Sequence, residues 1–146
     1  MERRNLIDRI RFFDFLDEAE KDELADMGQT FIRYKRGETI IAAGSKEDSF
    51  YVIVLGRVVV ESEGTLIARL AAGSTFGEMT FMNGSPRTSD VVADDDVVVM
   101  QLSRDVLDKL TPSCREKVKD QIIEILSARL KTMNEAALQK KNGIVI

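Results

Sequence analysis

The segment FYVIVLGRVVV, residues 50–60, consists of two runs of β-branched and aromatic residues that meet at Gly56. Such residues are enriched in strands, and glycine tolerates the positive φ that a tight reversal of the chain requires. The segment therefore predicts two strands, at residues 50–55 and 57–61, with the chain turning at Gly56.

Runs of the same kind continue on both sides of this segment, and turns that contain glycine, such as those at Gly37, Gly44 and Gly73, separate them. Many short strands with tight turns are typical of a β-sandwich or barrel. The pattern predicts seven strands, at residues 30–34, 39–42, 50–55, 57–61, 65–70, 89–93 and 97–102.

Helical patterns flank the strands. Residues 5–27 carry apolar side chains at helical spacing, with Asp14 and Asp17 as candidate caps between two short helices. On the other side, Ser103 begins a short helix, and Pro112 separates it from a long helix that runs from residue 113 to about residue 140.

The long helix carries two apolar stripes. One is a flank, formed by Val118, Ile122 and Ile125, that is expected to pack on the β-domain. The other repeats at spacings of three and four and resembles a coiled-coil seam, which predicts a homodimer through residues 113–140. The alternative is that both stripes pack on the same domain. The seam consists of Ile123, Leu126, Leu130, Met133 and Ala137.

Composition narrows the classes of function. The 146 residues carry a net charge of −4 and no histidine. Most catalytic bases and many metal sites depend on histidine, so we expect neither a catalytic residue nor a metal site, and not an enzyme. An acidic chain is not expected to bind nucleic acid directly. Three consecutive aspartates at residues 94–96 indicate a solvated turn, because they lack the alternating spacing of a calcium loop.

The chain fits one domain with an appended helix. It has no apolar window long enough to span a bilayer and no secretory signal, so we expect a cytoplasmic protein without membrane insertion. The single cysteine, Cys114, has no disulfide partner within the chain.

Residues 76–89, FGEMTFMNGSPRTS, form a segment that we call the cassette. Gly77 allows close approach of the backbone and opens a short helical turn whose first free N–H groups, at residues 78–80, attract an anion. Arg87 follows Pro86 and offers a planar fork of donors suited to two phosphodiester oxygens, and the Thr88 N–H adds a third contact.

Glu78 lies in the same segment, where a carboxylate would repel a phosphate unless it met a donor such as a sugar hydroxyl. One interpretation is therefore a site for a ribose phosphate. The other is an ion pair between Glu78 and Arg87 that only holds the loop in place, and the residue types alone leave both open.

The cassette resembles the phosphate-binding cassette of cyclic-nucleotide-binding domains, which occur in catabolite-activator-type regulators, protein kinase A regulatory subunits and nucleotide-gated channels. The resemblance includes the ten-residue step from Gly77 to Arg87. Residues 35–38, 43–44, Asp48 and 50–60 also resemble the strand–turn–strand signature of the family. The match extends from about residue 10 to about residue 135.

The resemblance implies a mainly β fold, a jelly roll with an N-terminal helical segment and a long C-terminal helix. Residues 1–112 would form the ligand-binding jelly-roll domain, and residues 113–146 the lid and dimerisation helix with its tail. Arg87 and cassette N–H groups would hold the phosphate, and Glu78 would accept from the ribose 2′-OH. The predicted ligand-binding residues are Phe76, Gly77, Glu78, Met79, Thr80, Arg87, Thr88, Ser89, Arg129 and Asn134.

Thr80 departs from the pattern of the family, and Thr88 bears on which nucleotide is bound. Thr80 occupies a position that is usually Ala, Gly or Ser, and threonine at the position of Thr88 is common in cGMP binders but also occurs in cAMP binders. On the long helix, Arg129 stands where bacterial members have an arginine that reaches toward the cassette glutamate. Asn134 is expected to meet the base from a dimer mate.

The resemblance implies a regulatory module that binds cAMP, needs no cofactor and converts ligand binding into movement of its C-terminal helix. As alternatives, cGMP or a cyclic dinucleotide is the ligand, or the chain is a degenerate jelly roll that only dimerises. A cupin-like enzyme would need clustered metal ligands. No helix-turn-helix segment follows the long helix, so we expect the effector to be a partner protein or another part of a longer protein.

Overall fold

The computed structural model describes residues 2–141, so the tail at 142–146 of the predicted second domain lies outside the described residues. The strands form two four-stranded antiparallel sheets, with the orders β1-β8-β3-β6 and β2-β7-β4-β5. Together with the flanking helices, they confirm the mainly β jelly-roll fold. The strands are β1 Phe31–Tyr34, β2 Thr39–Ile41, β3 Phe50–Leu55, β4 Arg57–Ser62, β5 Thr65–Ala71, β6 Thr75–Phe76, β7 Asp90–Ala93 and β8 Val97–Leu102.

The run FYVIVL is apolar throughout because β3 is covered on both faces. Alternate residues, among them Val52, belong to the core beneath the helices, whereas Tyr51 and Ile53 belong to the core between the two sheets. At Gly56, with φ +85°, the chain passes from the first sheet to the second. A Cβ there would overlap the backbone oxygen of Asp96, so only glycine fits this turn.

The structure has an eighth strand that the sequence pattern missed. This strand, β6, has two residues, too few to show an alternating pattern, and it pairs with β3 through Tyr51 opposite Phe76 and Val52 opposite Thr75. The pairing fixes the point at which the cassette leaves the sheet. The first predicted strand is one residue shorter than expected, because Thr30 lies in a 3₁₀ turn and donates its hydroxyl to the Met27 carbonyl.

The helices cover the outer face of the first sheet. Asp17 caps α2 in a capping box with Glu20, and Asp14 ends the 3₁₀ turn Arg11–Phe13, so both predicted caps lie between helical segments. Within residues 2–141, no helix is long and apolar enough to cross a membrane. The helices are α1 Arg3–Asp8, α2 Glu18–Ala25, α3 Glu78–Asn83, α4 Arg104–Lys109 and α5 Pro112–Lys141.

The flank of α5 packs as predicted. Val118 and Ile122 are fully buried in the core beneath the helices, and Ile125 is partly buried against it. The seam is different, since Ile123, Leu130 and Met133 remain 45%, 39% and 64% exposed. The exposure of these three side chains is evidence against the alternative in which both stripes pack on the same domain.

Carboxylates of α2 hold the beginning of α5. Glu23 accepts from the N–H and the hydroxyl of Thr111, at 2.6 and 2.8 Å. Glu20 accepts from the Ser113 hydroxyl at 2.9 Å and pairs with Lys117 at 2.7 Å. The Asp17 N–H, together with Lys117, lowers the pKa of Glu20 to about 2. The N-terminal helices thus fix the base of the long helix, while its C-terminal half projects past the cassette.

Candidate functional site

A cavity of about 580 Å³ lies between the second sheet, the cassette and α5. One wall is apolar and comes from β2, β4, β5 and β7. The opposite wall is polar and comes from the cassette, and α5 closes one side. The apolar wall consists of Ile41, Val60, Ala68, Leu70 and Val91.

Of the ten predicted ligand-binding residues, the structure brings nine to the lining of this cavity. Glu78, Thr80 and Arg87 are buried there, and Thr88 lies exposed at the rim. Asn134 is not part of the lining, and its side chain is exposed on α5. The neighbouring Met133 lines the cavity instead. The other residues that the structure brings together are Phe76, Gly77, Met79, Ser89 and Arg129.

Gly77 sets the geometry of the cassette backbone. It has φ +89° and immediately precedes α3. A Cβ at this position would lie 2.8 Å from Nη1 of Arg87 and 2.9 Å from the Ser49 carbonyl oxygen, closer than real Cβ contacts. The absence of a side chain therefore lets the cassette backbone lie against the Arg87 guanidinium, with the first N–H groups of α3 beside it.

Arg87 is buried, and two backbone carbonyls hold its guanidinium in place. Its side chain is 4% exposed, and it donates from Nη1 to the Gly77 carbonyl at 2.9 Å and from Nη2 to the Ser49 carbonyl at 2.7 Å. Nη2 also contacts Glu47 Oε1 at 3.3 Å. Nε is buried without a hydrogen-bond partner. An unsatisfied buried donor costs about 1–3 kcal/mol, so this atom favours an incoming acceptor.

Glu78 is buried on the other side of the cassette. Its Oε1 pairs with Nη1 of Arg129, and the second nitrogen of Arg129 donates to the Thr75 carbonyl at 2.9 Å. Oε2 of Glu78 is buried without a partner. Arg129 thus reaches the cassette glutamate as the resemblance implied. The alternative ion pair between Glu78 and Arg87 is wrong, because Arg87 pairs with Glu47 and Glu78 with Arg129.

Glu47 and Tyr51 form a second layer behind Arg87. The Tyr51 hydroxyl donates to Glu47 Oε1 at 2.6 Å, and the Ser49 N–H donates to Oε2 at 2.5 Å. Burial alone would raise the pKa of Glu47, but these two hydrogen bonds and the charge of Arg87 lower it on balance. Burial and the nearby Glu47 carboxylate raise the pKa of Tyr51 well above its usual value.

The polar and apolar groups of the cavity suit different parts of one ligand. It presents a cationic fork with a free donor, a carboxylate with a free acceptor and an apolar wall, which suit an anionic group, a hydroxyl and a flat apolar group on one ligand. Within residues 2–141, no group of three or more histidine, cysteine or acidic side chains is placed to hold a metal ion.

Sequence reasoning missed several residues of the site. Glu47 comes from a loop without periodicity and lies 40 positions from Arg87, so no local signal indicated the contact. Thr75 belongs to the short strand that the pattern did not reveal. Met133 was assigned only to the seam. The apolar wall was within reach of prediction, because Ala68 and Leu70 alternate along a predicted strand.

The family model described as "Cyclic nucleotide-binding domain" matches residues 31–113. A cGMP-dependent protein kinase of Eimeria tenella is 27% identical over 109 residues, which make up 75% of this chain and 11% of the kinase. A cAMP-dependent protein kinase regulatory subunit of Debaryomyces hansenii is 30% identical over 113 residues, 77% of this chain and 25% of that subunit.

Solved structures have the same fold. The catabolite activator protein of Thermus thermophilus is 25% identical with a TM-score of 0.72, over 88% of this chain and 62% of that protein. Among the curated relatives, by contrast, the chain spans only 11% of the Eimeria kinase and 25% of the Debaryomyces subunit.

Proposed function

The chain belongs to the cyclic nucleotide-binding domain family, and from that premise we propose that it binds one cyclic mononucleotide, cAMP, in the cavity between the cassette and α5. Domains of this family are regulatory modules, and residues 2–141 form such a module without a catalytic domain. One observation carries the proposal: Arg87 Nε and Glu78 Oε2, a donor and an acceptor in the same cassette, are both buried without partners.

The two atoms match the two polar parts of a cyclic nucleotide. Arg87 Nε is a donor for a phosphodiester oxygen, with the N–H groups of residues 78–80 and of Thr88 as further donors. Glu78 Oε2 is an acceptor for the ribose 2′-OH. The purine then packs against the apolar wall, and Met133 of α5 lines the same cavity. A volume of about 580 Å³ falls within the range of roughly 300–1,000 Å³ that is usual for small-molecule sites.

The relatives do not decide between cAMP and cGMP, since the Debaryomyces subunit is named for cAMP and the Eimeria kinase for cGMP. Thr88 at the rim suits the base of either nucleotide. We therefore keep cGMP, and after it a cyclic dinucleotide, as the alternatives that the titration below distinguishes. A degenerate module that binds no ligand is disfavoured, because it would leave the two buried polar atoms unsatisfied.

For the response to the ligand, we propose that residues 1–112 form the ligand-binding domain and that residues 113–146 carry the response, with Arg129 and Met133 completing the cavity. The ion pair between Arg129 and Glu78 ties α5 to the cassette, while Glu20 and Glu23 hold its base. A ribose hydroxyl at Oε2 adds a partner to the same carboxylate that Arg129 holds through Oε1, so ligand binding biases the position of α5. The effector that senses this position is a partner or another part of a longer cytoplasmic protein.

We also propose that α5 forms a homodimer through residues 113–140. The exposure of Ile123, Leu130 and Met133 supports an interface on this face. Light scattering at tens of micromolar is expected to give a dimer for the natural chain, and a monomer when both Leu126 and Leu130 are replaced by glutamate. A monomeric natural chain would refute the dimer and leave the ligand proposal standing.

The ligand proposal is tested by calorimetric titration of nucleotide-free protein with cAMP, cGMP, cyclic di-GMP and linear 5′-AMP. We expect saturable binding of cAMP at one site per chain, in roughly the micromolar range, and at least tenfold weaker binding of 5′-AMP. Tighter binding of cGMP or cyclic di-GMP would replace cAMP as the ligand. No saturation by any of the cyclic nucleotides up to about 1 mM would refute the proposed function.

A further inference from the structure

Glu47 is the carboxylate that contacts the Arg87 guanidinium, at 3.3 Å from Nη2. It does not line the cavity, so the guanidinium lies between Glu47 and the proposed phosphate position. Glu47 therefore acts on a ligand only through Arg87 and through the electric field of its charge.

The orientation of Arg87 does not depend on Glu47. The backbone carbonyls of Gly77 and Ser49 hold the two terminal nitrogens at 2.9 and 2.7 Å, whereas the Glu47 contact is longer. Arg87 is also fixed through its own backbone, since its N–H donates to the Ser45 carbonyl at 2.9 Å and its carbonyl accepts from the Gly44 N–H at 2.8 Å. The fork would keep its position without the carboxylate.

The carboxylate itself is held in place and ionised. The Tyr51 hydroxyl occupies the oxygen that faces Arg87, and the Ser49 N–H occupies the other. These hydrogen bonds favour the charged form, in keeping with the lowered pKa of Glu47. The negatively charged Glu47 carboxylate therefore contacts the same guanidinium that is proposed to bind the phosphodiester.

We propose that Glu47 is a built-in competing anion, which neutralises part of the Arg87 charge and holds the affinity for the cyclic nucleotide below what the cassette alone would give. This inference rests on the proposed function. A like charge beyond the guanidinium repels the phosphate, but the Glu47 side chain is 40% exposed, and solvent screens it. We therefore expect removal of the charge to tighten binding by roughly three- to tenfold rather than by orders of magnitude.

Glu47→Gln and Glu47→Ala both remove the charge, and the second variant covers the case in which the amide disturbs the loop. Each is titrated with cAMP and cGMP beside the natural chain, at about 0.05 M and about 0.5 M salt. The matched control is Asp48→Asn, the same change of charge at the adjacent residue, which pairs with Arg104 instead of Arg87. Thermal unfolding establishes that every variant is folded.

We expect both Glu47 variants to bind the nucleotide three- to tenfold more tightly at low salt and by less at high salt, with Asp48→Asn within twofold of the natural chain. Tyr51→Phe keeps the ring and removes the hydroxyl that shields Glu47, so it is expected to weaken binding about twofold, and to have no effect once Glu47 is glutamine.

Two results would overturn the inference alone: Glu47 variants that bind no more tightly than a natural chain that does bind, or an Asp48 variant that tightens binding equally. Failure of the natural chain to bind any cyclic nucleotide would overturn the inference together with the proposed function.

Discussion

Replacement of Gly77 by alanine adds one methyl group at the point where the cassette backbone meets Arg87. The residue has φ +89°, which costs an L-residue about 1–2 kcal/mol. The new Cβ would also lie 2.8 Å from Nη1 of Arg87 and 2.9 Å from the Ser49 carbonyl oxygen. The backbone oxygen cannot yield easily, so the guanidinium moves away and gives up its hydrogen bond to the Gly77 carbonyl.

Gly84 provides the matched control. It ends α3 with φ +72°, so alanine there meets a similar backbone cost, but no atom lies within 4 Å of the added Cβ. A hydrogen bond from a charged donor contributes about 1.5–3 kcal/mol. We therefore expect Gly84→Ala to lower the free energy of unfolding by about 1–2 kcal/mol, and Gly77→Ala by about 2.5–5 kcal/mol.

The binding assay separates the two variants more sharply. A displaced guanidinium loses at least one contact to the phosphate, so Gly77→Ala is expected to weaken cAMP binding at least tenfold, whereas Gly84→Ala stays within about twofold. Urea unfolding gives the stabilities, and calorimetry gives the affinities of both folded variants. Equal affinities for the two would refute the reasoning that close approach of the Gly77 backbone shapes the phosphate site.

Three further predictions concern Glu78, Met133 and Glu20. Glu78→Gln is expected to weaken cAMP binding by about five- to tenfold, and to have no further effect on 2′-deoxy-cAMP, because the 2′-OH is its proposed partner; equal losses for both nucleotides would contradict that role. In the monomeric protein, Met133→Ala is expected to weaken cAMP binding about threefold, whereas Asn134→Ala is expected to leave it unchanged. A larger effect of Asn134→Ala would place the base beside Asn134. The pKa of Glu20 is about 2 in the folded chain against an ordinary 4.5, so its contribution to stability is present above about pH 4.5 and is lost as the pH falls toward 2. Unfolding measured across this window is expected to show a smaller loss for Glu20→Gln than for the natural chain, and equal losses would contradict the stabilisation of the Glu20 carboxylate by the Asp17 N–H and Lys117.

The strands were predictable where the sequence pattern reflects burial. β3 is apolar throughout because both of its faces are covered, and Gly56 provides the turn between β3 and β4. β6 has two residues, and its conformation comes from pairing with β3, so no local pattern could reveal it.

The residues of the candidate site were likewise predictable in part. Gly77, Glu78 and Arg87 lie on one short segment, where residue type and spacing together predict an anion site. The contact between Glu47 and Arg87 depends on how two distant loops meet, and the sequence between them carries no signal of it. On α5, neighbouring residues point about 100° apart, so the difference between Met133 and Asn134 was beyond the precision of a helical pattern. The contact of Asn134 across a dimer stays a prediction.

The central claim is that Arg87 holds the phosphodiester of a cyclic nucleotide, and titration of Arg87→Ala with cAMP and cGMP tests it most directly. A charge-assisted hydrogen bond contributes about 1.5–3 kcal/mol and a bidentate pair more, so the expected loss of affinity is about two orders of magnitude. Both nucleotides are expected to lose affinity equally, since they share the phosphodiester, while circular dichroism shows a folded domain. A folded Arg87→Ala protein that binds the preferred nucleotide within threefold of the natural chain would contradict the claim and make Arg87 a structural residue only.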